Sequence, residues 1–277
     1  MKDPLVYIIV LNWNGKEHVT ACIKSLEKVN YPRYITLVVD NASSDGSAEY
    51  ISKNFPNVKL IVNSTNLRFA GGNNVGIDYA MANGADYILL LNNDTLVSPD
   101  FLSRLVEAAE ENSKIGMVGP KIYYYNSQNV IWFAGGGIDW RSGWTYHVGI
   151  HEVDRGQYDR KVETNYITGC CLLVKRAVIE KIGNLDESYA MYGEDVDWCI
   201  RASRAGFKLL YVPSSIIWHK VSASAGGNFS WFKNWNKLKS QIKLMWRYAK
   251  WYHWITIPLG FTTNILTSMI KATKKNE

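Results

Sequence analysis

Three groups of residues in this 277-residue chain have types and spacing that chemistry needs. The first is Asn92-Asn93-Asp94, which follows the apolar run Tyr87–Leu91. A carboxylate at the end of a buried strand can hold a divalent cation, and Mg²⁺ or Mn²⁺ takes few protein ligands when phosphates supply the rest. The bland reading of such an Asp is a turn residue. The second group is Glu194-Asp195-Val196-Asp197, three acids at the start of a helical pattern. One of them could take the proton of an attacking hydroxyl. First-turn acids also complement a helix dipole, and Asp197 and Arg201 have the spacing of a helix ion pair. The third is Asp40 and the polar stretch after it, which can accept hydrogen bonds from a base or ribose. Asp45 and Ser47 in that stretch suit helix capping better. Gly71-Gly72 reads as a helix opening whose free N–H groups favour a diphosphate. It matches neither Gly-x-Gly-x-x-Gly nor a phosphate loop with Lys, so those cofactors gain no support.

These groups sit at the ends of regularly alternating elements. Strands are predicted at Leu5–Leu11, Ile35–Val39, Val58–Val62 and Tyr87–Leu91, and helices at Lys16–Lys28, Ser47–Asn54, Asn73–Asn83 and Pro99–Asn112. That alternation implies right-handed βαβ units, and the continuous apolar runs imply strands covered on both faces. All four strands exit into Asn-, Asp- or Gly-rich segments. In an open α/β sheet ligands bind at the carboxyl ends of the strands, so four such ends form a candidate binding surface. Beyond Ile115 the pattern changes. Met117–Tyr125, Val130–Ile138, Thr168–Val174, Lys208–Val212 and Ser215–Trp218 read as strands. Thr145–Asp159 reads as a loop, and Ala177–Ile182, Glu194–Ala205 and Trp231–Trp251 as helices.

Composition separates two regions. The formal charge is +6, but residues 229–277 carry nine of the 31 Lys/Arg and one of the 25 acids, so the first 228 residues are slightly acidic. The same tail holds five of the 11 Trp. Hydrophobic residues at 47% exclude a disordered or collagen-like chain, and adjacent Cys170-Cys171 among only four Cys argue against a disulfide framework. Lys233, Lys237, Lys239, Lys243, Arg247 and Lys250 recur among Trp and aliphatic residues, the pattern of a helix lying on an anionic membrane surface. Packing on the body and a homodimer contact are the alternatives. No nucleic-acid motif accompanies the basic face. Leu5–Leu11 is not a signal peptide. Trp254–Ile270 is uncharged but too polar for a confident membrane span. The expected location is cytoplasmic, peripheral on the inner membrane face.

Together these residues resemble the inverting family-2 glycosyltransferases of GT-A type fold, in the rhamnosyltransferase-like branch. The resemblance rests on Val10–Gly15, Val39–Ser47, Asn66–Asn74, Leu90–Asp94, Gly169-Cys170, Gly193–Arg201 and Trp218-His219. It implies a Rossmann-like, mostly parallel sheet flanked by helices in a catalytic domain over residues 1–228. Residues 1–114 would bind the nucleotide-sugar, 115–228 the acceptor, and 229–277 would form a helical extension. Asp40 would meet the base or ribose, beside Asn12, Asn14, Asn41 and Ser43. Arg68, Phe69, Gly71, Gly72, Asn73 and Asn93 would complete the donor site. Asp94 would ligate Mn²⁺ or Mg²⁺, with His219 as a second ligand. Asp195 would be the general base, with Glu194 shaping its field. Trp140, Asp197 and Trp198 would meet the acceptor, a saccharide or lipid-linked saccharide. The implied donor is a nucleoside-diphosphate sugar, dTDP-rhamnose before a UDP-sugar. The family often carries acids where Asn92 and Asn93 stand, and Gly where Arg68 stands. The Asn pair keeps open an alternative, a non-catalytic nucleotide-sugar-binding subunit.

Overall fold

The computed structural model describes residues 3–189, 192–221 and 231–256. The first half runs β1 (Val6–Asn12), α1 (Lys16–Leu26), β2 (Tyr34–Asp40), α2 (Ser47–Asn54), β3 (Lys59–Val62), α3 (Arg68–Ala82), β4 (Tyr87–Asn92), β5 (Thr95–Val97) and α4 (Phe101–Glu110). The second half runs β6 (Ile115–Tyr124), β7 (Ser127–Phe133), β8 (Gly136–Asp139), β9 (Trp144–His147), β10 (Val162–Glu163), β11 (Cys171–Lys175), α5 (Arg176–Ile182), α6 (Glu194–Arg204), β12 (Lys208–His219) and α7 (Trp231–Tyr248).

One mixed ten-stranded sheet has the order β10-β12-β6-β11-β4-β1-β2-β3, with β5 paired to β12 and β7 to β6. β1 is parallel to both β2 and β4, while β11 enters antiparallel between β4 and β6. β1 and β4 are buried along nearly their whole length, as their unbroken apolar runs require. Helices cover both faces. α1, for example, turns Val19, Cys22, Ile23 and Leu26 inward.

α3 shows why small residues were needed there. A Cβ on Gly72 would lie 2.4 Å from Leu11 Cδ1, and one on Gly76 would lie 2.7 Å from Ile9 Cγ2. The two glycines, one turn apart, let the helix backbone settle directly on β1 and β2. α3 begins at Arg68 rather than at Asn73. The Asn66 carboxamide oxygen accepts the Arg68 N–H at 2.8 Å, and Arg68 itself has φ +62°. Gly71 and Gly72 therefore lie inside the helix as packing residues, and the free N–H groups belong to the turn before them.

The second half departs from expectation in three places. The run read as one strand over 130–138 divides into β7 and β8 around Gly135, at φ +106°. The segment read as a loop from Thr145 begins in β9, paired with β8. β12 is one strand with an irregularity between Val212 and Ile216, where Pro213 removes a donor.

α7 lies against the body. Leu244 and Met245 are buried, and burial of such a side chain contributes about 1.5–3 kcal/mol. Lys237 reaches over Trp144, Lys243 lies 4.2 Å over the Tyr189 ring, and Arg247 pairs with Asp186. Three of the cations assigned to a membrane face thus have partners in the body. The opposite face carries Trp235, Ile242 and Trp246, and Trp251 follows it. Trp246 and Trp251 are 80% and 77% exposed. Among the described residues no helix is long and apolar enough to cross a membrane. The uncharged stretch over 257–270 lies outside the described residues.

Candidate active site

Parallel register brings the ends of β1 and β2 together, with Asn12 opposite Asp40. The Asn12 amide donates to Asp40 Oδ2 at 2.9 Å, and the Ser43 N–H donates to Asp40 Oδ1 at 2.8 Å. Asn93 donates to Asn12 Oδ1 at 2.8 Å, while Asn14 accepts the Ser44 N–H and donates its own N–H to Ser43 Oγ. Gly15 sits under this network, because a Cβ there would lie 2.4 Å from the Asn93 amide. Asn12 and Asp40 are fully enclosed. Their side chains organise the loops at this end of the sheet, so a nucleotide would meet the groups they hold rather than their own tips. Asn41 is spent likewise, donating to the Arg68 carbonyl and accepting from Asn63. Asn73 donates to the Phe69 carbonyl inside α3. Arg68 is exposed, and Phe69 lies against Gly169.

At the end of β4 the chain turns into β5, which pairs antiparallel with β12, Thr95 opposite His219. That pairing sets Asp94 beside His219, with His219 Nε2 3.2 Å from Asp94 Oδ1. Asp94 Oδ1 and His219 Nδ1 are both buried and make no hydrogen bond. The Trp132 ring packs edge-on against the imidazole, centroids 4.5 Å apart, and fixes its plane. A buried carboxylate oxygen without a donor, facing an imidazole nitrogen, fits a cation that completes its shell with phosphate oxygens and water. Among the described residues no third His, Cys, Asp or Glu joins them.

α6 starts at Glu194, after Tyr192 at φ +68° and Gly193 at φ +93°. Asp195 is half-buried, and its Oδ2 accepts the Gly169 N–H at 2.8 Å. Gly169 leads into β11, whose Cys171 lies opposite Leu91 of β4. The intervening Cys170 thiol is pushed well up by burial and then by the charges of both Asp94 and Asp195. Asn92 donates its N–H to the Cys170 carbonyl at 2.9 Å and Gly169 donates its own to Asp195, so Asp94, just past Asn92, and Asp195 lie on either side of Cys170 at one end of the sheet. Burial raises the pKa of Asp195, and burial followed by the Asp195 charge raises Glu194 to about 8. Burial raises the Tyr166 hydroxyl and the Cys199 thiol, the charge of Asp195 adding to both, so each stays protonated at neutral pH. Burial thus makes Asp195 a more basic aspartate than one in water, and a charge on Asp195 favours a proton on Glu194.

Two acceptor assignments fail on geometry. Trp198 is completely buried and donates Nε1–H to the Gly183 carbonyl at 2.8 Å, so neither ring face is open. Asp197 is also completely buried and accepts from Arg201 at 2.8 Å and Tyr248 at 2.6 Å. Trp140 is partly buried, with His253 stacked on its ring at 5.8 Å. Contributors to which the sequence reading gave no role are the Gly169 N–H, Trp132 behind His219, and buried Tyr166. A glycine before two cysteines could have signalled a close backbone approach. Trp132 and Tyr166 carry no local signal.

Residues 7–183 match the family described as Glycosyl transferase family 2. The N-acetylglucosaminyl-diphospho-decaprenol L-rhamnosyltransferase of Mycobacterium tuberculosis is 28% identical over 240 residues, 79% of this chain and 77% of its own length. The dTDP-rhamnosyl transferase RfbF of Shigella flexneri is 25% identical, over 78% of this chain and 69% of its own. The mannosyltransferase PcManGT from Pyrobaculum calidifontis, solved with GDP-Man and Mn²⁺, superposes with a TM-score of 0.63 at 16% identity. That superposition covers 98% of this chain and 76% of the other.

Proposed function

Because this chain belongs to glycosyltransferase family 2 and has its GT-A type fold, we propose that it moves a sugar from a nucleoside diphosphate to an acceptor hydroxyl with inversion. The favoured donor is dTDP-rhamnose, with a UDP-sugar second. The acceptor is a saccharide or a lipid-linked saccharide of a cell-surface glycan. Two relatives named as rhamnosyltransferases support the donor, and the decaprenol in one of those names supports a lipid-linked acceptor.

The observation that carries the reading is the pairing of a basic, half-buried Asp195 with the orphaned Asp94 oxygen across Cys170. Asp195 accepts the acceptor's proton as its oxygen attacks the anomeric carbon, and one base suffices for a single displacement. A charge on Asp195 favours a proton on its neighbour Glu194. The Gly169 N–H holds the carboxylate in place. Asp94 and His219 hold Mn²⁺ or Mg²⁺, which when bound offsets the charge developing on the departing diphosphate. The loops held by Asn12, Asp40 and Ser43 receive the nucleotide, with exposed Arg68 at their rim.

A nucleotide-sugar screen by thermal shift tests the donor. With Mn²⁺ present, dTDP-rhamnose should raise the melting temperature more than UDP- or GDP-sugars, since stabilisation grows with the logarithm of ligand over Kd. A larger shift with another sugar nucleotide would replace dTDP-rhamnose. Release of free nucleoside diphosphate only when acceptor is added then distinguishes a transferase from a binding subunit.

The same reading sets the protein on the cytoplasmic membrane face, through the exposed aromatic side of α7. Trp235, Ile242 and Trp246 recur at helical spacing, and Lys239 lies beside Trp235. Replacing both Trp246 and Trp251 by Ala should abolish flotation with phosphatidylglycerol-containing vesicles. Undiminished flotation would remove α7 as the anchor.

A further inference from the structure

α7 has a second role that its composition conceals. The start of α6, which carries Glu194 and Asp195, rests on α7. A Cβ on Gly193 would lie 3.2 Å from Leu244 Cδ1 and 3.3 Å from Ser240 Cβ, so the left-handed entry to α6 is seated directly on this helix. One turn further on, the enclosed Asp197 carboxylate is held from two sides. Arg201 of α6 donates to Oδ2 at 2.8 Å, while Oδ1 accepts from Tyr248 at 2.6 Å and Arg247 at 3.2 Å, both of α7, and from Tyr189 of the body at 3.2 Å. Arg247 also pairs with Asp186, and Lys243 hydrogen-bonds Ser188, so α7 grips the chain leading to α6 as well. Hydrogen bonds from Ser188 and Arg247 keep the Asp186 carboxyl well below the usual range despite burial.

The rest of α6 is anchored without α7. Trp198 bonds the Gly183 carbonyl, and Arg201 bonds the carbonyls of Ile182 and Asn184 at 2.6 and 2.8 Å. These bonds hold the middle of the helix, whereas its first turn leans on α7 as well as on Tyr189 and Arg201. That turn is where Asp195 must keep its bond to Gly169.

We propose that Arg247 and Tyr248 are positioning residues, which set the Asp195 carboxylate for proton transfer by clamping Asp197 at the first turn of α6. The proposal deepens the assignment of Asp195 as base and rests on it. A misplacement of about 1 Å at a reacting group can cost on the order of 100-fold in rate, so small shifts at this turn matter.

The test uses Tyr248→Phe, Arg247→Met and Arg247→Lys in the full chain. Tyr248→Phe deletes one hydroxyl and keeps the ring that lies under Arg204. With the donor selected by the thermal-shift screen, Tyr248→Phe and Arg247→Met should lower kcat at least tenfold with donor KM within twofold, and Arg247→Lys should recover part of the loss. Carbon-13 spectra of the carboxyl groups supply a readout that needs no substrate. The Asp195 signal, assigned by its loss in Asp195→Asn, should titrate at higher pH in Tyr248→Phe and Arg247→Met. The Gly169 N–H favours the charged form, and in those variants it is less well aligned, while Glu194, Tyr166, Cys170 and Cys199 stay around the group.

Wild-type kcat with an unmoved Asp195 titration would overturn the proposal. So would a fall in kcat matched by an equal rise in donor KM, the mark of a generally distorted cleft. The parent reading fails separately: full turnover in Asp195→Asn removes the base itself, whatever the α7 variants do.

Discussion

Asp195→Asn should lower sugar transfer by about 10²–10⁴-fold, the span typical of a positioned general base, while donor affinity stays within a factor of two. The amide occupies the same volume and can still accept the Gly169 N–H that the carboxylate accepts at 2.8 Å. What it loses is a site for the acceptor's proton. Steady-state kinetics beside calorimetry with the donor would separate the two effects. Transfer at the wild-type rate would remove Asp195 from the base position. The pH profile carries a second expectation with a definite sign. The base must be deprotonated, and burial raises its pKa, so activity falls as pH drops through that raised value. The acid limb should therefore lie above the ordinary aspartate value of 3.8. A limb at or below it would show that the working group is less enclosed than Asp195.

Asp94→Ala should abolish the part of nucleotide binding that depends on divalent metal, and transfer with it. The oxygen removed is buried and without a hydrogen bond, and it faces His219 Nε2 at 3.2 Å. No other described carboxylate, thiol or imidazole forms a group with them, so nothing nearby can replace it. His219→Ala should weaken metal-dependent binding less, because a neutral imidazole balances none of the cation's charge. Titrating UDP or dTDP by calorimetry, with and without Mn²⁺, reads both effects. Identical isotherms for wild type and Asp94→Ala would sink the metal assignment.

Much of this was legible in the amino-acid order, and the misses have physical causes. Tyr87–Leu91 reads as a strand because a run covered on both faces has no polar phase, and the Asp just beyond it lies where a sheet presents ligands. The start of α3 was hidden because Asn66-Leu67-Arg68 looks like loop. The helix is entered through a turn in which Asn66 accepts the Arg68 N–H and Arg68 is left-handed, and neither feature has a strong pattern. Trp198 and Asp197 looked like acceptor contacts because both follow a candidate base. Their burial depends on Gly183 and Tyr248, 15 and 51 residues away in sequence. The basic residues of α7 misled for the same reason. A cation facing solvent and one facing Asp186 are spelled identically, and only tertiary contact separates them.

Asp197 is fastened by its own helix on one oxygen and by Tyr189 together with α7 on the other. The extension after β12 is therefore not a portable module. A chimera that joins this body to another protein's tail would exchange more than an address in the cell. It would carry a foreign partner to Asp197, and the tail would need its own Tyr–Arg equivalent to leave the graft competent. The family match ends at residue 183, short of both ends of this fastening, so a library built on that boundary would sample neither.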